Sequence, residues 1–483
     1  MSWRNLLHVV GAVIAAIGAA MATPIVVSVI YREWSEIPGF AASAILTFTI
    51  GITLWFFFDS PGELSTKEGF AAVGMAWTAI ALIGSLPYIF TGEISNITNA
   101  VFESASGFTT TGASIVPDPG LMSHGALFWR SLTQWIGGMG IIVLSVAILP
   151  LLGMGAVQLA RAESPGPIPD RLTPRFSETA KRLWYVYIGL TGIEAALLWL
   201  GEMSLFEAIN HAFTTLSTGG FSTHVGSLGA YGAYTQWVII VFMTLAGMSF
   251  ALHYTFITRD KLAYFKSLGL RVYLGIIFAA SILMAIGIWG GPVLTTIRDS
   301  LFTSVTIVTT TGYGTADFAT WGPVLEVMIV GLMFVGGMAG STSGSIKTDR
   351  LLILSGASRT DVRRIIHPRG VFVTRVGKKP VPDLVVETVQ TFFLLYMFAF
   401  MTGVFAIAVI GFAADSSLDL VTMVSGVASS LGNVGPGLGE IGPTGNYLVF
   451  PAVSKWVLSG LMVIGRLEIL PILILLSPEV WRK

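Results

Sequence analysis

The sequence predicts an all-α, polytopic membrane protein built from four repeats of span, half-helix and span, behind two extra spans. Three observations predict it. The 483 residues are 53% hydrophobic and 11% charged, with a mean hydropathy of +0.77, whereas a soluble chain carries about 25% charged residues. Long apolar runs recur from end to end, each near the roughly 20 residues that a spanning helix requires. Between several of them sit shorter apolar segments that end on one pattern: Ser or Thr, one further residue, then Gly.

Taken in order, the spans fall at residues 6–31, 40–58, 69–90, 126–152, 183–201, 236–257, 272–289, 324–339, 391–412 and 448–474. The first lacks a cleavage pattern of small residues and reads as a retained helix rather than a signal peptide. Segments 96–107, 205–216, 295–308 and 418–430 are too short to span and fit re-entrant helices. They run into Thr110-Thr111-Gly112, Ser217-Thr218-Gly219, Thr310-Thr311-Gly312 and Ser430-Leu431-Gly432, whose glycines are spaced 107, 93 and 120 residues apart. A period near one hundred residues marks an internal repeat. It divides the chain into an N-terminal pair of helices, 1–62, and four units, 63–160, 161–258, 259–380 and 381–483. A second marker keeps the same order. Gly137-Gly138-Met139-Gly140, Ala246-Gly247-Met248-Ser249, Gly336-Gly337-Met338-Ala339-Gly340 and Ile464-Gly465-Arg466-Leu467 each follow a half-helix, in the middle of the next span. Small residues there also suit close helix packing.

The run Val308-Thr309-Thr310-Thr311-Gly312-Tyr313-Gly314 is rich in β-branched residues, and in water it reads as a strand. In a bilayer a lone strand leaves its N–H and C=O groups unsatisfied, and irregular backbone is tolerated only where it is buried or lines a watery path. Glycine permits the backbone angles that aim successive carbonyls one way. The stretch therefore reads as a selectivity filter of backbone carbonyls. None of the four loops holds Asp or Glu, whereas a divalent-selective pore is expected to use an acidic ring.

Lys and Arg set the orientation. They crowd the connections after each unit: Arg161, Arg171, Arg175, Lys181 and Arg182; then Arg259, Lys261, Lys266 and Arg271; then the basic segment 347–379; and finally Arg482 and Lys483. Filter-side loops have almost none, Arg32 excepted. The filters enter from outside and both termini lie in the cytoplasm.

Several chemistries are set aside. No cysteine is present, which excludes disulfides and thiolate metal sites. The six histidines show no metal spacing, and no paired acids or Ser–His set points to an enzyme. Gly437-Leu438-Gly439-Glu440-Ile441-Gly442 fits G-x-G-x-x-G but follows a filter rather than a strand. Residues 340–348 resemble a P-loop only loosely, since Lys347 does not directly follow the Gly.

The four Gly-centred loops, the stretch Val-Gly-Gly-Met-Ala-Gly-Ser-Thr-Ser-Gly-Ser-Ile at 335–346, and Val463-Ile464-Gly465-Arg466-Leu467-Glu468-Ile469 together resemble the Trk/Ktr/HKT superfamily of potassium transporters, nearest its bacterial Trk uptake branch. The resemblance covers essentially the whole chain. It implies pseudo-symmetric M1–pore helix–filter–M2 repeats around one potassium pore, a homodimer with a pore in each chain, and a bacterial inner-membrane, symporter or channel-like protein. It implies a separate cytosolic nucleotide-binding regulatory ring, TrkA-like, on the basic face, which lipid contact alone would also explain. The expected potassium ligands are carbonyls of Thr110, Thr111, Gly112, Ser217, Thr218, Gly219, Thr310, Thr311, Gly312, Ser430, Leu431 and Gly432. Glycine at Gly112 goes with potassium in this family and Ser there with sodium; Leu431 departs most from the pattern.

Three further sites carry expectations. Gly and Ser at the density of 335–346 break a membrane helix, and the resemblance implies an intramembrane gate there (Gly336, Gly337, Gly340, Ser341, Gly344, Ser345). Arg466 costs about 2.5–3.5 kcal/mol at the centre of a span and must face the interior. It is expected to act as a cation barrier below the filter, the alternative being a structural ion pair, and it is the one charge expected at that depth. Glu103 either lends negative potential at the pore mouth or is hydrogen-bonded behind the filter. The function expected is gated potassium uptake. The alternatives are sodium or mixed conduction by the same fold, and a secondary transporter of organic solutes, which would show inverted repeats with midplane charges.

Overall fold

The structure, a computed structural model, describes residues 3–58, 66–147 and 175–478. Arg161, Arg171, Arg482, Lys483 and the end of the span at 126–152 lie outside them. The two extra spans are α1 (Trp3–Ala20) with its continuation α2 (Thr23–Tyr31), and α3 (Ile37–Phe57). They pack closely because glycines face glycines and backbone: a side-chain carbon on Gly18 would sit 2.5 Å from the Phe48 nitrogen, and one on Gly11 2.5 Å from that of Trp55. In lipid, such close approach is a main source of helix association.

Four units follow. The first runs α4 (Thr66–Ile83), α5 (Leu86–Thr91), the half-helix α6 (Ile97–Phe108) and α7 (His124–Ala147). The second runs α8 (Arg175–Trp199), half-helix α9 (Leu205–Leu216), α10 (Ala233–Ala246) and α11 (Phe250–Thr258). A short α12 (Ala263–Lys266) leads into the third: α13 (Leu268–Gly287), half-helix α14 (Val293–Val308) and α15 (Pro323–Leu332). After a loop, α16 (Thr348–Ile366) leads to the fourth: α17 (Asp383–Ala413), half-helix α18 (Leu420–Gly432), α19 (Ala452–Arg466) and α20 (Leu470–Leu476). Two-residue strands β1 (Val335–Gly336) and β2 (Ile346–Lys347) pair in parallel, and β3 (Arg375–Val376) pairs antiparallel with β4 (Lys379–Pro380).

Local chemistry starts three of the half-helices. Asn96 accepts from the Asn99 N–H at 3.1 Å, Asp419 from Thr422 at 2.9 Å, and Ser204 with Glu207 forms a reciprocal capping box. Such caps satisfy donors that the first turn leaves free. The later turns are buried on every side, as in 100–108 of α6, so these helices are held inside the bundle. Large apolar side chains such as Phe56, Phe57, Phe405 and Phe412 face outward, which suits a lipid surround.

Among the described residues five helical stretches, Trp3–Tyr31, Ile37–Phe57, Lys67–Thr91, Leu268–Gly287 and Asp383–Ala413, are long and apolar enough to cross a membrane, and α10 with α11 adds a sixth bent by 96°. The second spans are where the structure departs from ten simple crossings. The span expected at 324–339 is a ten-residue helix ending at Leu332, followed by β1 and a loop. The span at 448–474 breaks between Arg466 and Leu470, with Glu468 and Ile469 at φ 59° and 66°. Each break falls at the small-residue marker. At the second, the Gly247 carbonyl left free at the end of α10 accepts from the Met338 N–H at 2.8 Å, so one broken span completes the hydrogen bonding of another.

Candidate selectivity filter and the loop beneath it

All four half-helices end in one turn. Thr110, Thr218, Thr310 and Asn433 take φ between 52° and 57°, the left-handed region that is an outlier for a β-branched residue. Their N–H groups bond back to Gly107, Thr215, Ile307 and Ser430, and the next N–H groups, of Thr111, Gly219, Thr311 and Val434, bond to Ser106, Thr214, Thr306 and Ser429 at 2.8–2.9 Å. A glycine with positive φ follows each time: Gly112, Gly220, Gly312 and Gly435. Strain of about 1–3 kcal/mol at each Thr is held by the surrounding packing, a pattern that clusters at functional sites.

This geometry corrects the register read from the sequence in two repeats. In the second, the counterpart of Gly112 is Gly220, and Gly219 stands level with Thr111. In the fourth it is Gly435, while Ser430, Leu431 and Gly432 are the last residues of α18. A Ser/Thr-x-Gly pattern fits several neighbouring registers. The left-handed residue that ends the helix selects one of them.

The corrected glycines form a closed circuit. A side-chain carbon on Gly112 would strike the Gly219 carbonyl oxygen, one on Gly220 that of Thr311, and one on Gly312 that of Val434; one on Gly435 would come within 2.7 Å of the Thr111 oxygen. Each repeat thus abuts the next, and the fourth returns to the first. Gly112, Gly220, Gly312 and Gly435 also line one shared depression, rimmed by Pro117, His224 and Pro443. Each half-helix delivers its C-terminal end, which carries partial negative charge, to this circuit. The fourth repeat differs in one carbonyl: that of Gly435 accepts from Ser429 Oγ at 2.8 Å and Tyr447 OH at 2.7 Å.

Beneath the circuit lies the loop between β1 and β2. Gly344 N–H donates to Thr310 Oγ1 at 2.7 Å, and Thr342 Oγ1 donates to the Leu216 carbonyl at 2.9 Å. A side-chain carbon on Gly344 would strike the Gly432 carbonyl oxygen. Gly336 lies in β1, Gly337 packs on Gly247, and the Gly340 carbonyl accepts from Phe250 N–H at 3.0 Å. Ser341 Oγ donates to the Met338 carbonyl at 2.6 Å, and Ser345, at φ 55°, donates to that of Met333. The loop therefore touches the inner ends of repeats two, three and four.

Arg466 is 2% exposed and donates from Nη1 to the Thr342 carbonyl at 2.6 Å, while its Nε and Nη2 have no hydrogen-bond partner among the described residues. Glu468 pairs instead with Arg350, whose guanidinium lies 4.1 Å over the Phe392 ring. Arg466 is not the only buried charge. Glu103, Arg130, Glu194, Lys347 and Arg350 are also buried. Glu103 sits behind the filter: it accepts from Arg130 Nε at 2.8 Å, Ser114 Oγ at 3.0 Å and Ile115 N–H at 3.0 Å. Of its two readings, the hydrogen-bonded one describes this arrangement. Arg130 and Gln134 escaped the sequence reading, and Arg350 and Asn433 enter it only as a cytoplasmic charge and a loop neighbour. An Arg at position 130 inside an apolar run was the available signal for the first.

The Gly437–Gly442 stretch contains a three-residue 3-10 turn, Gly439–Ile441, and no strand leads into it, so the dinucleotide context is absent. Among the described residues no group of three His, Cys, Asp or Glu is placed to hold a metal ion.

A family model described as TrkH, cation transport protein, matches residues 36–275 and 291–483. The Trk system potassium uptake protein TrkH of Escherichia coli strain K12 is 36% identical over 492 residues, spanning 100% of both chains. The protein of that name from Vibrio parahaemolyticus is 38% identical over 502 residues, again spanning 100% of both. The crystal structure of the potassium transporter TrkH from Vibrio parahaemolyticus matches with a TM-score of 0.91 at 34% identity, covering 100% of each chain.

Proposed function

The chain belongs to the TrkH family of cation transport proteins, and from that premise we propose that it takes up potassium across the bacterial plasma membrane through a gated filter lined by backbone carbonyls. One observation carries the reading: the closed circuit in which each filter glycine meets the carbonyl of the next repeat. A monovalent cation leaves water only where oxygens replace its hydration shell. The oxygens assigned are the carbonyls of Thr110, Thr111 and Gly112, of Thr218, Gly219 and Gly220, of Thr310, Thr311 and Gly312, and of Asn433 and Val434. The Gly435 carbonyl is drawn back toward Ser429 and Tyr447. No carboxylate lies in these loops, so the site favours monovalent cations.

The loop at 335–346 is the gate in this reading. It closes the path under the filter, and Arg466 anchors it while opposing cations with its charge. Both termini and the basic segment face the cytoplasm, the chain works as a homodimer, and a TrkA-like nucleotide-binding ring docks on the basic face. The decisive test is growth of a strain without potassium uptake systems at low potassium, with rubidium and sodium fluxes measured alongside. Rescue with rubidium flux well above sodium flux is expected. Sodium flux equal to or above rubidium flux would replace potassium uptake with the sodium reading.

A further inference from the structure

We propose that Gln134, a residue of α7 in the first repeat, is a specificity-determining positioning residue for the filter of the second repeat. The proposal rests on reading the four loops as an ion filter.

The four carbonyls at the level of the circuit belong to Thr111, Gly219, Thr311 and Val434. In the first and third repeats this position carries a Thr whose hydroxyl is tied down within its own loop, Thr111 to Thr109 and Thr311 to Thr309, both at 2.7 Å. In the second repeat the position is glycine and has no side chain to tie. Gln134 supplies one from the neighbouring repeat. Its amide fills the volume where a Gly219 side chain would begin. Nε2 donates to the Gly219 carbonyl at 2.7 Å, and Oε1 accepts from the Phe221 N–H at 3.1 Å. The orientation of the amide is unambiguous, because a backbone N–H can only donate and so fixes which end is oxygen. Gln134 is fully buried, so no water competes for either bond.

Two consequences follow for the ion. One of the two lone pairs of the Gly219 oxygen is committed to the amide, which lowers the field that oxygen offers. The bond also holds the oxygen back, so the ring resists contracting onto a smaller ion. Among the described residues no side chain donates to the carbonyls of Thr111, Thr311 or Val434, so the second repeat is set apart at this level. Whether selectivity comes from cavity size or from field strength, losing the amide shifts preference in one direction, toward sodium.

The test uses the full-length protein in proteoliposomes, with the potassium-to-sodium permeability ratio read from zero-current potentials. Wild type is measured first; a wild type without potassium preference would remove the filter reading itself. Gln134→Leu keeps the volume and removes both bonds. Gln134→Met keeps the length of the side chain and removes the donor to Gly219. Both are expected to lower the ratio about fivefold, equivalent to roughly 1 kcal/mol, while eluting as intact protein. Gln134→Ala combined with Gly219→Ser returns a hydroxyl to the filter strand itself and is expected to recover part of the loss. Folded Gln134→Leu and Gln134→Met proteins with the wild-type ratio would overturn the proposal. Aggregation of all three variants would also overturn it, by assigning Gln134 to folding alone.

Discussion

Arg466 offers the sharpest test of gating, because two of its properties can be removed separately. Its guanidinium donates to the Thr342 carbonyl at 2.6 Å and is buried. A hydrogen bond from a charged group is worth about 1.5–3 kcal/mol. If that bond holds the loop in place, deleting it shifts the balance between closed and open loop by roughly 10- to 150-fold. Part of the loop's hold survives, since Gly344 still bonds Thr310 and Thr342 still bonds Leu216. The lower end of that range is therefore expected in flux. Arg466→Gln removes the charge and keeps a donor; Arg466→Ala removes both. Rubidium uptake into proteoliposomes should rise in the order wild type, Gln, Ala, with Ala about tenfold above wild type. Equal uptake in wild type and Arg466→Ala, at equal protein per liposome, would refute the barrier and the anchor together. Equal rises in Gln and Ala would leave charge as the whole effect.

Three further outcomes are expected. Glu103→Gln strips the buried Arg130 guanidinium of its carboxylate and should cost about 3–5 kcal/mol, read as a lowered midpoint of thermal unfolding in detergent; an unchanged midpoint would show that the pair is not what holds the loop from Ser114 to Ile115. Gly220→Ala places a carbon against the Thr311 oxygen at a φ of 74° and should abolish growth rescue at low potassium, whereas retained rescue would break the closed circuit. Deleting residues 340–345 removes the segment under the filter and should raise rubidium flux; unchanged or lower flux in a folded protein would count against the loop as a gate.

Hydropathy and positional glycine made the fold legible. The half-helices at 205–216 and 295–308 lie within two residues of α9 and α14, because a short apolar segment bounded by a cap and a glycine leaves few other solutions in a membrane. The first and third loops share the run Thr-Thr-Thr-Gly, which offers one glycine to the pattern. The second and fourth do not fix a register by themselves, because Gly219-Gly220 and Gly432-Asn433-Val434-Gly435 offer more than one glycine to the same pattern.

The sequence by itself determined the class of molecule and the number of repeats, since these follow from composition and period. Only the tertiary structure decided which glycine completes each turn, which carbonyl each repeat presents to its neighbour, and how Gln134, Arg130 and Asn433 brace them. Those choices depend on groups about 90 to 320 residues apart in the chain, such as Asn433 donating to Thr111 at 3.0 Å. Local propensity holds no record of partners that distant; they meet only when the four units close on one another.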